Sequence, residues 1–547
     1  MNSIEPQEKQ ASSRNYLAAL GVVILGCILH LPNLGLVEMH REEGRRAIPA
    51  REMIASGDWV LPTIWGEPYL NKPPLYTWSV AAIAKMRDGR VDEIAVRLPS
   101  VLASIACALL LLRWGRRRQG TRVGILAAVT FYLGLEGIAK ANLGETDLVF
   151  CAWILAAIVF LDEGMGGRRR ALVASGLCLG AALLTKGPLA LVFYLGADLG
   201  WRWTHGGGEN SPRGGALLGW ITGIVTAGLW GVLLLAHPGG EVAIYTWSEE
   251  LSRSGGSGAY FRHRLEFVFG VIGGFLPASV ILLITASRGM RNRWKEDPLI
   301  RQCLLSALVP LLFLLFWPGV QPRYALPALP LCSLAVARIL DGLLTAGDLT
   351  VERRIAVFAQ MMRALVALAA IVFVVDLVAG DFLRSFVTVP HLDFIPEVIA
   401  LLGLLAVAFL PLGWCVSRLA RSLWRLALII VIIRLIQLSV VLPAKVLGDG
   451  SPRRAFAQRV EEAVPAGEVL YIDIDEDWNW LVQIDREIRI APKGEAPPSG
   501  SWLLMGAGEG SQGADPIESV HLLSGTLFLE ERLPHEGKVL LMRVHRG

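Results

Sequence analysis

Glu42, Glu43, Arg45 and Arg46 stand together in HREEGRRAIPAREM, residues 40–53, directly after YLAALGVVILGCILHLPNLGL, an apolar run long enough to cross a bilayer. A carboxylate at a membrane surface is costly unless it is paired or solvated. One reading is therefore an interfacial segment whose acids and arginines neutralise one another. The other is a reaction site, in which a carboxylate orients or deprotonates an acceptor while cations hold an anion. A second acidic loop, ANLGETDLVF, brings Glu145 and Asp147 to the mouth of another apolar segment, where Thr146 or Asp147 is also suited to cap the helix LVFCAWIL. Cations recur in similar places. Lys72 lies in LNKPPLYTW, where two prolines favour an extended approach and a helix starting near Pro74. Lys186 lies in LLTKGPLA between two apolar half-hairpins, and either lysine could simply snorkel to the head groups. Arg253, Arg262 and Arg264, with Arg323 and Tyr324 of QPRYALP, complete the set. Several cations beside two acids on one membrane face suit a lipid-linked phosphate held next to a carboxylate site.

The elements that must position these groups are membrane helices. Of 547 residues, 53% are hydrophobic and 18% charged, and the mean hydropathy is +0.50. That is too apolar for one soluble core. The net charge of +4 comes from short basic clusters between apolar segments, which argues against a nucleic-acid partner. The seven cysteines form no disulfide framework or zinc pattern. Candidate spans centre on 16–36, 98–114, 122–139, 147–162, 171–186, 187–201, 215–236, 265–287, 302–318, 325–343, 355–379, 396–415 and 424–443, about 13 crossings. The stretch 74–86, PLYTWSVAAIAKM, is too short to cross. Leaving it out also puts the basic clusters at 113–122 and 166–170 in the cytoplasm. The first run reads as an uncleaved signal-anchor with a cytoplasmic N-terminus, and an odd number of spans puts the C-terminus outside. The expected class is thus an all-α polytopic membrane protein with residues 1–443 in the membrane domain and a first outer loop at 37–97. Residues 444–547 form a small extracytoplasmic α/β domain, with a helix in RRAFAQRVEEAV, strands in EVLYIDI, SWLLMGA and KVLLMRV, and a short helix in DWNWLVQI.

The run EEGRRAIPAREMIASGDWVLPTIWGEPYLNKPPLYTW resembles the first outer loop of the bacterial GT-C glycosyltransferases related to the lipid A aminoarabinose transferase and, more distantly, to protein O-mannosyltransferases. The likeness continues through TDLVF, LLTKGPLAL and RYALPALP, over about the first 340 residues. It implies a catalytic acid at Glu42, a second acid at Asp147, and donor-phosphate contacts from Arg45 and Lys72. Lys186, Arg262 or another arginine of 253–264, and Tyr324 are implied as further phosphate contacts. Four positions depart from the family's form: Glu42 replaces Asp, Arg46 replaces Tyr, Pro49 replaces an apolar residue, and Asn71 replaces a Glu before the lysine. The last weakens the case for a bound divalent metal, because an amide is a poorer ligand than a carboxylate. No cofactor is expected.

The implied activity is inverting transfer of a sugar from a polyprenyl-phosphate donor to a lipid A-like glycolipid, protein or wall glycan. It would occur on the outer side of the inner (cytoplasmic) membrane. The residues alone leave two alternatives, a lipid or ion transporter and a non-catalytic membrane scaffold. A transporter would carry ionisable groups at span centres, where only Asp376 and Arg434 are deep.

Overall fold

The computed structural model describes residues 4–39, 41–206, 215–241, 260–286, 292, 294–317, 319–346, 452–473, 479–484, 486–491, 497–507, 524–533 and 537–545. The chain begins with α1 (Ile4–His30), the loop helix α2 (Arg41–Ser56), a small hairpin of β1 (Thr63–Ile64) and β2 (Glu67–Pro68), and α3 (Leu75–Lys85). Next come α4 (Glu93–Gln119), α5 (Thr121–Tyr132), α6 (Leu135–Ala141), α7 (Thr146–Met165), α8 (Arg169–Lys186), α9 (Leu189–His205) and α10 (Gly215–Leu235). After these lie α11 (Tyr260–Gly274), α12 (Ala278–Thr285), α13 (Pro298–Phe316) and α14 (Ala328–Ala346).

Each span expected before residue 347 is helical over most of its described length, but fewer helices are long and apolar enough to cross. Among the described residues, α4, α7, α10 and α13 qualify, and α5 with α6 makes a fifth if the pair, bent by 67°, is one span. The count of about 13 is not reproduced, because α1 is apolar only over Asn15–His30 and others are short or broken. The expected spans 355–379, 396–415 and 424–443, with Asp376 and Arg434, lie outside the described residues. Helix α3 has 11 residues, a rise of about 16 Å, roughly half the hydrocarbon thickness.

Close helix contacts use small residues. A Cβ at Gly176 or Gly180 of α8 would stand 2.5 Å from Thr222 Cβ or Thr226 Cβ of α10, so this small-xxx-small stripe lets the two backbones approach. Asp92 caps α4, accepting from Ala95 N at 2.9 Å. Burial works against its charge, yet the Arg87 guanidinium and the Ala95 N–H hold its carboxyl below the usual range.

The helices present two polar rims. At one end of α7, Asp162 and Glu163 are 6% and 3% exposed. Arg118 pairs with Asp162 at 2.8 Å, and Arg113, Arg117 and Arg168 pair with Glu163. The basic clusters at 113–122 and 166–170 therefore meet on one side. The opposite end of α7 carries Asp147.

The C-terminal part has α15 (Pro452–Ala463) on a five-stranded sheet of β3 (Val469–Asp473), β4 (Glu487–Ile490), β5 (Trp502–Ala507), β6 (Ser524–Leu533) and β7 (Gly537–His545). The order is β4-β3-β5-β7-β6, with β3 parallel to β4 and β5 and the remaining pairs antiparallel. The expected longer helix and all three expected strands are present, the expected short helix is a 3-10 turn at Asn479–Gln483, and β4 and β6 are additional. The sheet domain grips the first loop. Arg51 Nη1 of α2 donates to the carbonyls of Val482 (3.1 Å) and Ile484 (2.8 Å), and Arg454 pairs with Glu93 at 2.7 Å while donating to Gly35 and Leu36 carbonyls.

Candidate functional site

The site grows from α2. Neighbours in sequence on a helix point about 100° apart, so Glu42 and Glu43 leave by different faces. Glu43 turns inward and is 1% exposed. It takes both Nε and Nη2 of Arg97 at 2.7 Å and the Gly144 N–H at 2.7 Å. Arg97 also donates to the carbonyls of Leu34, Val37 and Glu38. A Cβ at Gly144 would meet Val96 and come within 3.2 Å of Glu43, so glycine is what lets this loop sit on the carboxylate. One buried ion pair thus joins the loop helix, α4 and the GETD segment.

Glu42 faces the other way with its side chain 38% exposed, held by Arg45 at 3.4 Å and Arg46 at 3.5 Å. Both contacts are longer than a charge-assisted hydrogen bond of about 2.8 Å. The carboxylate is thus attracted but not consumed.

Asp147 lies in the first turn of α7, whose N-cap position belongs to Glu145 without a side-chain cap bond. Neither Thr146 nor Asp147 occupies that cap position. Lys186, at the C-terminal end of α8, donates to Asp147 Oδ1 at 2.5 Å, with the two side chains 8% and 4% exposed. The Lys186 ammonium also sits 4.5 Å from the ring centre of Tyr324, a cation–π contact that fixes it further. Glu145 pairs with Lys140 at 2.6 Å and Arg323 at 3.4 Å. Burial disfavours the Arg323 charge, but Asp147, Glu145, Tyr324 and Glu42 together raise its guanidinium above the ordinary value. Glu42 and Asp147 therefore belong to one electrostatic neighbourhood around Arg323.

Lys72 is half-buried in the turn before α3. Leu70 and Leu184, each two residues before a lysine of the set, pack in one apolar cluster, which brings the KPP turn to the end of α8. Arg262 is placed differently. It lies on α11, pairs with Glu266 at 2.7 Å and is 81% exposed. The helix meets Pro322 at Gly270, eight residues and about 12 Å further along. Arg264 is buried and donates to the Trp317 carbonyl at 2.7 Å, and Arg253 lies outside the described residues. Among the described residues no three His, Cys, Asp or Glu side chains gather as a metal set.

The motif names Glu43 beside Glu42 without giving it a role of its own and does not reach Arg97, although the 100° helical step separates the two acids. Lys140 gave no local signal, because its partner is set by the bend between α6 and α7.

Residues 71–199 match the family described as dolichyl-phosphate-mannose-protein mannosyltransferase. The chain is 27% identical over 333 residues to an undecaprenyl phosphate-alpha-4-amino-4-deoxy-L-arabinose arabinosyl transferase of Edwardsiella ictaluri, covering 58% of this chain and 57% of the relative. It is also 27% identical to a protein of the same description from Sodalis glossinidius, covering 79% of this chain and 76% of that one. The crystal structure of ArnT from Cupriavidus metallidurans bound to undecaprenyl phosphate superimposes with a TM-score of 0.70 at 18% identity, over 97% of this chain and 98% of that one. The chain has the GT-C fold of that structure and is similar in sequence to the aminoarabinose transferases and, over residues 71–199, to the protein mannosyltransferase family.

Proposed function

We propose that this GT-C protein is an integral-membrane inverting glycosyltransferase that takes a sugar from a polyprenyl-phosphate donor. The observation that carries this reading is the gathering of Glu42, Arg45, Asp147, Lys186, Arg323 and Tyr324 at one end of the helices. Its relatives, which are undecaprenyl phosphate-aminoarabinose arabinosyl transferases, supply the donor class. Arg45, Lys72 and Lys186 grip the donor phosphate, and Tyr324 backs the Lys186 ammonium. The acceptor oxygen attacks the anomeric carbon opposite the phosphate, a new C–O bond forms, and the bond to phosphate breaks. Polyprenyl phosphate departs with its charge held by the same cations. Glu42 takes the proton of a hydroxyl acceptor; a phosphate acceptor is already ionised near neutral pH and needs only orienting. Asp147 assists by fixing Lys186. The acceptor class is a lipid A-like glycolipid, a protein hydroxyl or a wall glycan. The chain lies in the inner membrane with its N-terminus cytoplasmic and residues 37–97 and 444–547 outside.

The test is binding and transfer by full-length protein in nanodiscs. Undecaprenyl phosphate is expected to bind far better than undecaprenol. Lys72→Met and Arg45→Gln are each expected to weaken it about ten- to a hundredfold, the loss of one charge-assisted contact of roughly 1.5–3 kcal/mol. Equal binding of phosphate and alcohol, or equal binding by all three proteins, overturns the donor site. Product mass spectrometry with envelope glycolipids and glycoproteins then identifies the acceptor.

A further inference from the structure

Arg46 is the departure in this site that its surroundings least explain. Its guanidinium is buried, with the residue 5% exposed. Yet Nη2 reaches Glu42 at 3.5 Å, Nη1 reaches the Arg45 carbonyl at 3.5 Å, and Nε has no hydrogen-bond partner among the described residues. The second contact has a local origin. Pro49 sits inside α2 and has no N–H to offer four residues back, so the Arg45 carbonyl is left for a side chain to meet. Neither contact approaches the roughly 2.8 Å of a charge-assisted bond. A buried guanidinium with five N–H donors held so loosely adds little to the fold. A planar fork in this condition suits a carboxylate or phosphate, which it binds in bidentate fashion.

We infer that Arg46 is a specificity-determining residue that binds an oxyanion on the substrate, distinct from the donor phosphate. This rests on the glycosyl-transfer reading above. Arg45 and Arg46 bracket the Glu42 carboxylate at nearly equal distances, 3.4 and 3.5 Å. An oxyanion on Arg46 therefore sits beside the group that orients the acceptor, on one of the two reacting partners. It belongs either to the transferred sugar, as a uronic acid, or to the acceptor, as a phosphate. In either case binding draws the fork away from Glu42 and leaves its carboxylate freer to meet the acceptor.

The experiment measures kcat/KM for full-length protein in nanodiscs. The undecaprenyl phosphate-linked donors carry a uronic acid, a neutral hexose or an aminopentose. Each is tested with a phosphorylated glycolipid before and after phosphatase treatment. Wild type is expected to lose about ten- to a hundredfold when the recognised oxyanion is removed. The arm that shows the loss, sugar or acceptor, names the source. Arg46→Gln is expected to abolish that discrimination, and Arg46→Lys, which keeps charge without the fork, to retain only part of it. Monodispersity and thermal unfolding report folding, and if Arg46→Gln does not fold, Arg46→Lys alone decides. Wild-type transfer with no discrimination in either arm, or discrimination unchanged in the substituted proteins, overturns the inference while leaving the glycosyltransferase reading intact. Absence of any transfer from any donor by wild type overturns that reading itself.

Discussion

Two acids that look equivalent in the sequence differ in what they are free to do. Glu42 is 38% exposed and loosely shared between two arginines, whereas Asp147 is 4% exposed and bound to Lys186 at 2.5 Å. A carboxylate must reach the acceptor to act on it, and Glu42 has that access. In the proposed reaction Asp147 acts through the lysine it holds. Glu42→Gln is therefore expected to lower kcat by about 10²-fold with a hydroxyl acceptor while donor KM changes little. Asp147→Asn is expected to do the reverse, raising donor KM about tenfold as Lys186 loses its anchor, with a smaller loss in kcat. Steady-state kinetics of both proteins separates the roles. A drop confined to kcat in Asp147→Asn would make it a direct participant instead.

The site depends on how helices are tied to one another, and the decisive tie was not legible in the motif. The spacing of Arg45, the KPP turn, TDLVF and RYALP was readable because each motif is local. The partner of Glu43 is not: Arg97 lies 54 residues away and the Gly144 N–H a further 47. The short α3 and the convergence of the basic clusters could be read from length and charge. The turn between α6 and α7, across which Lys140 meets Glu145, carries no such signal. Because Glu43 and Arg97 are only 1% and 4% exposed at their side chains, removing one charge strands the other. Glu43→Gln is expected to cost about 3–5 kcal/mol of stability. Glu42→Gln, one residue away but on the outward face, should cost under about 1 kcal/mol. Thermal unfolding in detergent, compared between the two substitutions, checks the difference. Equal stability would mean that Glu43 holds nothing together.

At the scale of the whole chain, the two polar rims carry the argument for orientation. One rim holds Glu42, Asp147, Lys186 and the sheet domain anchored through Arg51 and Arg454. The other gathers Arg113, Arg117, Arg118 and Arg168 around two buried acids. Lysine and arginine are retained on the cytoplasmic side during insertion, so the proposed orientation puts the arginine rim in the cytoplasm and the carboxylate rim outside. The anchoring contacts then give a stricter expectation than charge alone, because the sheet domain and the first loop must lie on the same side if Arg51 is to reach Val482 and Ile484. Single cysteines at the exposed positions Glu67, Gln458 and Gln119, in a chain otherwise free of cysteine, provide the test. In intact cells, an impermeant thiol reagent is expected to label the cysteines at 67 and 458, and to reach the one at 119 only after lysis. Labelling of 67 and 458 from opposite sides would break the link between loop and sheet domain. Labelling of 119 from outside would invert the molecule and move the proposed chemistry to the cytoplasmic face.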